Sequence, residues 1–265
     1  MKTGFIGCGN MATAIIDGII KAEAVNSEEI YVYDISKKAT DYLKSKYGVN
    51  VCESPAQAVK LCDTVILAVK PNVLGNVLEK INIALTESDT LIISIAAGKT
   101  IEFIRNTLSH SNRIIRVMPN INAAVGASMT AYAANEKATD EDKSYCEKLF
   151  SAVGKVTALD ESLFPVFGVI GGCAPAFAYM FIDSLARAGV KNGMKKDVAL
   201  KTAAQTVLGS AEMILKSKEH PWELIDKVCS PGGTTIEGVT SLQKDGFESA
   251  INNAVNKAIE KDSKL

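Results

Sequence analysis

Four residues that read as a short buried strand, Thr3–Ile6, run directly into Gly7-Cys8-Gly9-Asn10-Met11-Ala12, and an amphipathic stretch follows over residues 11–22. This spacing constrains the fold more than any other feature of the chain. In the pattern G-x-G-x-x-A, Gly7 permits the tight turn and Gly9 lets backbone approach a pyrophosphate. Ala12 lets helix and strand pack closely. The helix start then offers free N–H groups and a partial positive charge to phosphates. A glycine turn alone can be purely structural. Here a strand precedes it and a second strand, Ile30–Tyr33, ends in Asp34, so the segment reads as a dinucleotide-binding fingerprint spanning Gly7, Cys8, Gly9, Asn10, Met11 and Ala12.

Asp34 is placed where an acidic side chain accepts hydrogen bonds from a ribose 2′-hydroxyl, which points to NAD. Ser36, Lys37 and Lys38 follow at once and could contact a 2′-phosphate instead. Asp34 and Ser36 could also do no more than cap the next helix. The sequence leaves NAD(H) and NADP(H) both open.

The rest of the first half repeats the alternation. Apolar, β-branched runs occur at Thr3–Ile6, Ile30–Tyr33, residues 64–69, residues 91–95 and Ile114–Met118. Helix-like segments lie between them, at residues 37–46, 56–61 and 101–108 among others. That predicts an α/β domain, a Rossmann-type doubly wound parallel sheet, over residues 1–160. Beyond residue 160 the strands stop. Residues 166–188, 195–216, 221–227, 235–244 and 247–261 read as helices, with Gly189 and Gly193 as stops. An all-α domain over residues 161–265 is expected.

With 47% hydrophobic and 22% charged residues in 265, a core of ordinary size is available. The net charge of −1 favours neither nucleic acid nor an anionic membrane. Six scattered cysteines without a C-x-x-C pair, and only two histidines, suggest neither a metal site nor a disulfide framework. Nothing at the N-terminus reads as a signal peptide, and a cytoplasmic protein is expected. Residues 162–182 carry no charge and are long enough to cross a bilayer. They include Pro165, Gly168, Gly171, Gly172 and Pro175, so burial in a core or a subunit interface is expected instead. Helices as apolar as residues 174–185 need cover on both faces, more than a five-helix domain can supply. The expectation is a homodimer through the helical half, which can assemble further as an oligomer of dimers.

Four segments resemble the pyrroline-5-carboxylate reductase family. Ala68-Val69-Lys70-Pro71, Ser94-Ile95-Ala96-Ala97-Gly98 and Arg116-Val117-Met118-Pro119-Asn120 each close a strand, on the edge where open α/β sheets bind ligands. Val228-Cys229-Ser230-Pro231-Gly232-Gly233-Thr234-Thr235 is similar to the family's most specific signature, V-x-S-P-G-G-T-T. The resemblance implies hydride transfer from NAD(P)H to the cyclic imine 1-pyrroline-5-carboxylate, giving L-proline. It implies cofactor contacts from Ala68, Val69, Lys70, Pro71, Ala96, Ala97 and Asn120. It places the substrate at Ser230, Pro231, Gly232, Gly233 and Thr234, with its carboxylate on Ser230, Gly233 and Thr234, and the Thr235 hydroxyl at the imine nitrogen. Ser230 or Thr234 could otherwise simply cap the helix. Two departures concern loop geometry: Asn122 stands where the family has proline, and Gly171-Gly172-Cys173-Ala174-Pro175 replaces its S-G-x-G-P. Competing readings are a reductase of a related cyclic imine and a non-catalytic NAD(P)-binding regulatory protein. A β-hydroxyacid dehydrogenase is disfavoured because residues 166–188 contain no lysine.

Overall fold

The computed structural model describes residues 1–262; the last three residues of the expected helical domain, 263–265, lie outside the described residues. The chain separates into two compact units, the first Met1–Gly172 and the second beginning at Cys173.

The first unit is built on one eight-stranded sheet. Its strands are β1 (Thr3–Ile6), β2 (Ile30–Tyr33), β3 (Asn50–Val51), β4 (Thr64–Leu67), β5 (Leu91–Ser94), β6 (Ile114–Met118), β7 (Ser128–Ala134) and β8 (Gly154–Ala158), in the order β3-β2-β1-β4-β5-β6-β7-β8. All pairings are parallel except β6 with β7. The five apolar runs became β1, β2, β4, β5 and β6. The sequence reading missed β3, β7 and β8, and with them the antiparallel pairing. β3 has only two residues, while β7 alternates small side chains with polar ones and β8 is a half-exposed edge. None of the three carries the continuous apolar run by which a doubly covered strand is recognised.

Six helices cover the sheet: α1 (Asn10–Lys21), α2 (Lys37–Tyr47), α3 (Pro55–Leu61), α4 (Leu74–Thr86), α5 (Ile101–Thr107) and α6 (Asp140–Ser151). Side chains alternate between the two faces. Phe5, Val32, Ile66 and Ile93 pack with Ile15, Ile16 and Ile19 of α1 and with Leu149 and Phe150 of α6. Ile6, Leu67 and Ile92 pack with α3, α4 and α5. Strand order reverses at β1, and Ile6 is in register with Tyr33 on one side and Leu67 on the other. Leu67 then aligns with Ser94, and Ser94 with Arg116. The carboxyl ends of five strands therefore open on one edge, with the crevice of the strand reversal at its centre.

The short helix α7 (Phe164–Phe167) and a π-helical turn, Gly168–Cys173, carry the chain out of the first unit. That π turn is the form taken by the departing Gly171–Gly172–Cys173 segment.

The second unit contains α8 (Ala174–Lys191), α9 (Lys196–Lys216), α10 (Pro221–Val228), α11 (Thr234–Lys244) and α12 (Phe247–Asp262). Gly189 does not stop α8, as expected from sequence, but lies inside it. The stop is a Schellman motif around Gly193, in which the Met194 amide donates to the Gly189 carbonyl at 3.0 Å and the Gly193 amide donates to the Val190 carbonyl, also at 3.0 Å. Among the described residues of this unit only Ala186, Ala199 and Ala203 are buried. Glu161–Lys191 is apolar and long enough to cross a membrane, yet little of it is covered by the chain itself. Of the two kinds of cover expected, a core or a subunit interface, the chain's own core supplies little; Tyr179, Met180, Phe181 and Leu185 are exposed.

Candidate functional site

At the sheet's carboxyl edge the glycine-rich turn is tightly anchored. Gly7 has φ +101°, and a β-carbon there would lie 2.6 Å from the Ala68 carbonyl oxygen, so only glycine fits. Its amide donates to the Tyr33 carbonyl at 2.8 Å, and the Ala68 amide donates to the Ile6 carbonyl at 2.8 Å. The Cys8 amide donates to Asp34 Oδ2 at 2.7 Å and its thiol points at the Tyr33 carbonyl. Burial, helped by the Asp34 charge, pushes that thiol up to about 12, which makes it an inert packing group. Gly9 is the N-cap of α1 and offers no side-chain cap, while Ala12 packs fully buried beneath it. A β-carbon on Gly9 would meet nothing within 4 Å. Open space above Gly9, next to the free amides of Asn10 and Met11, fits the diphosphate of a dinucleotide.

The flanking residues sit around this turn. Asp34 Oδ1 accepts from the Ser36 amide at 2.8 Å. Ser36 occupies the N-cap of α2 but its hydroxyl makes no cap bond, and Lys37 is exposed at the first helical position. Ala68 and Val69 are half-buried, and the Val73 amide donates to the Lys70 carbonyl to turn the chain at Pro71, leaving the Lys70 side chain exposed. Ala96 is buried and Ala97 exposed in the turn after β5. Asn120 is buried; its amide donates to Ser128 Oγ at 3.1 Å and its Oδ1 accepts from the Asn122 amide at 3.0 Å. Asn122 thus uses an N–H that a proline would lack.

Three supporting residues escaped the sequence reading. Arg116, nearly buried, donates to Glu161 Oε1 at 2.9 Å and lies over the Phe164 ring at 4.5 Å. The same Oε1 accepts from the Ile101 amide at 2.8 Å, at the start of α5. Ser128, in β7, holds Asn120. Arg116 opens the Arg116-Val117-Met118-Pro119-Asn120 segment, but nothing local in sequence pairs it with a carboxylate 45 residues away. A cavity of about 550 Å³ opens elsewhere, lined by Met1, Cys62, Asp63, Asp89 and Arg113. It lies at the amino ends of the strands, and Arg113 is already paired with Asp142 and Asp89.

In the helical unit, residues 230–233 form a tight turn. Pro231 takes the first central position, Gly232 the second with φ +67°, and the Gly233 amide donates back to the Ser230 carbonyl at 3.0 Å. α11 begins at Thr234 with Gly233 as its N-cap and without a side-chain cap bond. Capping by Ser230 or Thr234 is therefore excluded. Among the described residues the hydroxyls of Ser230, Thr234 and Thr235 have no hydrogen-bond partner. The amides that open α11 and three free hydroxyls form a donor-rich nest suited to a carboxylate. His220 instead caps α10 through Nδ1 on the Trp222 amide, in a box closed by Glu223, and His110 is exposed. Among the described residues no cluster of histidine, cysteine and carboxylate could hold a metal.

A sheet that reverses order beside an uncapped glycine-rich turn, joined to a separate helical unit, defines a two-domain dinucleotide-dependent oxidoreductase. A family model described as pyrroline-5-carboxylate reductase dimerisation matches residues 161–265, and one described as NADP oxidoreductase, coenzyme F420-dependent, matches residues 2–98. The pyrroline-5-carboxylate reductase of Escherichia coli is 42% identical over the whole chain and 98% of its own length. Among solved structures, a pyrroline-5-carboxylate reductase from Coxiella burnetii superposes with a TM-score of 0.94 at 32% identity, over 99% of this chain and 97% of that one. The Plasmodium falciparum pyrroline carboxylate reductase with NADP bound gives 0.87 at 35% identity, with the same coverage. The chain belongs to the pyrroline-5-carboxylate reductase family.

Proposed function

We propose that this protein reduces the C=N bond of 1-pyrroline-5-carboxylate to give L-proline, the last step of proline biosynthesis, with NAD(P)H. The observation that carries the substrate end is the uncapped start of α11 behind the 230–233 turn, with its unpartnered hydroxyls. NADPH or NADH, when bound, supplies the hydride. The protein's own task is orientation and charge control. Ser230, Gly233 and Thr234 meet the substrate carboxylate through hydroxyls and helix-start amides in place of an arginine, while Pro231 and Gly232 shape the turn that presents them. Thr235 hydrogen-bonds the imine nitrogen as it gains electron density, and water or the Thr235 hydroxyl delivers the proton that makes it an amine. Gly7 to Ala12, Asp34, Ser36, Lys37, residues 68–71, Ala96, Ala97 and Asn120 line the cofactor side. Holding both reactants in near-attack geometry supplies a large part of the acceleration, up to roughly 7–11 kcal/mol.

The protein works as a cytoplasmic homodimer, with the exposed apolar faces of residues 161–262 as the contact; the burial of only three alanines among the described residues of the helical unit supports this reading. The test is loss of absorbance at 340 nm with 1-pyrroline-5-carboxylate, run with NADPH and NADH in parallel. Substrate-dependent oxidation with at least one cofactor is the expected result. No oxidation with either would reject the substrate and leave a related cyclic imine or a regulatory nucleotide binder.

A further inference from the structure

An acidic residue at the end of the second strand of a dinucleotide fold ordinarily reads the adenosine ribose. Asp34 stands at that place, but its carboxylate is turned to the protein's own backbone. Oδ2 accepts from the Cys8 amide at 2.7 Å and Oδ1 from the Ser36 amide at 2.8 Å. The neighbouring Gly7 amide is tied to the Tyr33 carbonyl at 2.8 Å. Two successive amides of the glycine-rich turn are thereby fixed to the end of β2, one by main chain and one by this side chain. Cys8 is buried, so without Asp34 its amide has no partner. The second oxygen fixes the approach to α2. One carboxylate thus sets both the turn that meets the pyrophosphate and the segment that flanks the adenosine.

We infer that Asp34 is a positioning residue for the glycine-rich turn, and that it does not discriminate the 2′-hydroxyl from the 2′-phosphate. This rests on the dinucleotide reading above. The pyrophosphate is common to NAD and NADP, so a displaced turn weakens both alike. Discrimination then falls to the exposed side chains of Ser36 and Lys37, which have no partner among the described residues.

The test is calorimetric titration of the full-length protein with NAD⁺ and with NADP⁺, which needs no imine substrate. Asp34→Ala should weaken both by about tenfold, the scale of a lost charge-assisted hydrogen bond, with the ratio of the two Kd values unchanged within about twofold. Asp34→Asn keeps an acceptor oxygen and should recover part of the loss for both. If NAD⁺ affinity alone falls while NADP⁺ affinity holds or improves, Asp34 reads the ribose and the inference is wrong. Unchanged affinity for both also overturns it. Should Asp34→Ala fail to fold, Asp34→Asn decides by the same ratio. A wild-type protein that binds neither dinucleotide removes the dinucleotide reading itself.

Discussion

Thr235, the second residue of α11, is half-buried, with its hydroxyl free of any partner among the described residues. A hydroxyl so placed costs nothing to redirect toward a ligand, since no internal bond must first break. Thr235→Ala is expected to lower kcat/KM by about 10–100-fold, the scale of one hydrogen bond made in the transition state. Thr235→Ser should retain most activity, and steady-state kinetics on both variants check this. Kinetics unchanged in the alanine variant would remove Thr235 from the mechanism. At this scale the sequence was partly legible. Gly7, Gly9 and Ala12 could be given roles because each is a steric requirement of one local turn. The partners of Asp34 could not be read, because the Cys8 amide becomes its neighbour only when β1 and β2 align. Arg116 and Glu161 were hidden for the same reason.

Between residues and domains, the helix ends carry much of the local stability. α6 begins with a full capping box: Thr139 Oγ1 accepts from the Asp142 amide at 3.2 Å, and Asp142 Oδ2 accepts from the Thr139 amide at 2.9 Å. Asp142 is buried and its other oxygen takes Arg113 at 2.6 Å, so the cap is welded to the loop before β6. Thr139→Ala should destabilise the protein by about 1 kcal/mol, seen as a lower urea midpoint with an unchanged slope. α1 and α11 contrast with α6, since both start on glycine without a side-chain cap. A missing side-chain cap is not confined to these two, since α2, α4, α8 and α9 also lack one. What marks the starts of α1 and α11 as proposed ligand sites is the glycine-rich motif each follows, and from the residues alone that was legible only for α1. The resemblance placed ligands at residues 230–235, but the residues alone allowed Ser230 or Thr234 as a cap. Strands were found where apolar runs made them obvious, and β7 and β8 were lost because small alternating residues carry no such signal.

For the molecule as a whole, the two units differ in how they are held together. The first has two apolar layers around a central sheet. The second has three buried alanines among its described residues and a long apolar helix with Tyr179, Met180 and Leu185 in the open. Burial of an apolar side chain stabilises by roughly 1.5–3 kcal/mol, and alanine provides the least of any. With the helical unit taking its missing cover from a second copy, as proposed, the melting temperature should climb with protein concentration. Scanning calorimetry from low to high micromolar chain checks this. A melting temperature independent of concentration, with a monomeric mass in light scattering, would refute the dimer. The sequence made the need for cover legible, because residues 174–185 are too apolar for a five-helix domain to hide. The three alanines carry a consequence for the protein's life in a cell. In the proposed dimer, a chain that finishes its interior only on meeting its twin has a lifetime set by its own abundance, so the first copies made are the most exposed to proteolysis, and each later one makes the population harder to degrade.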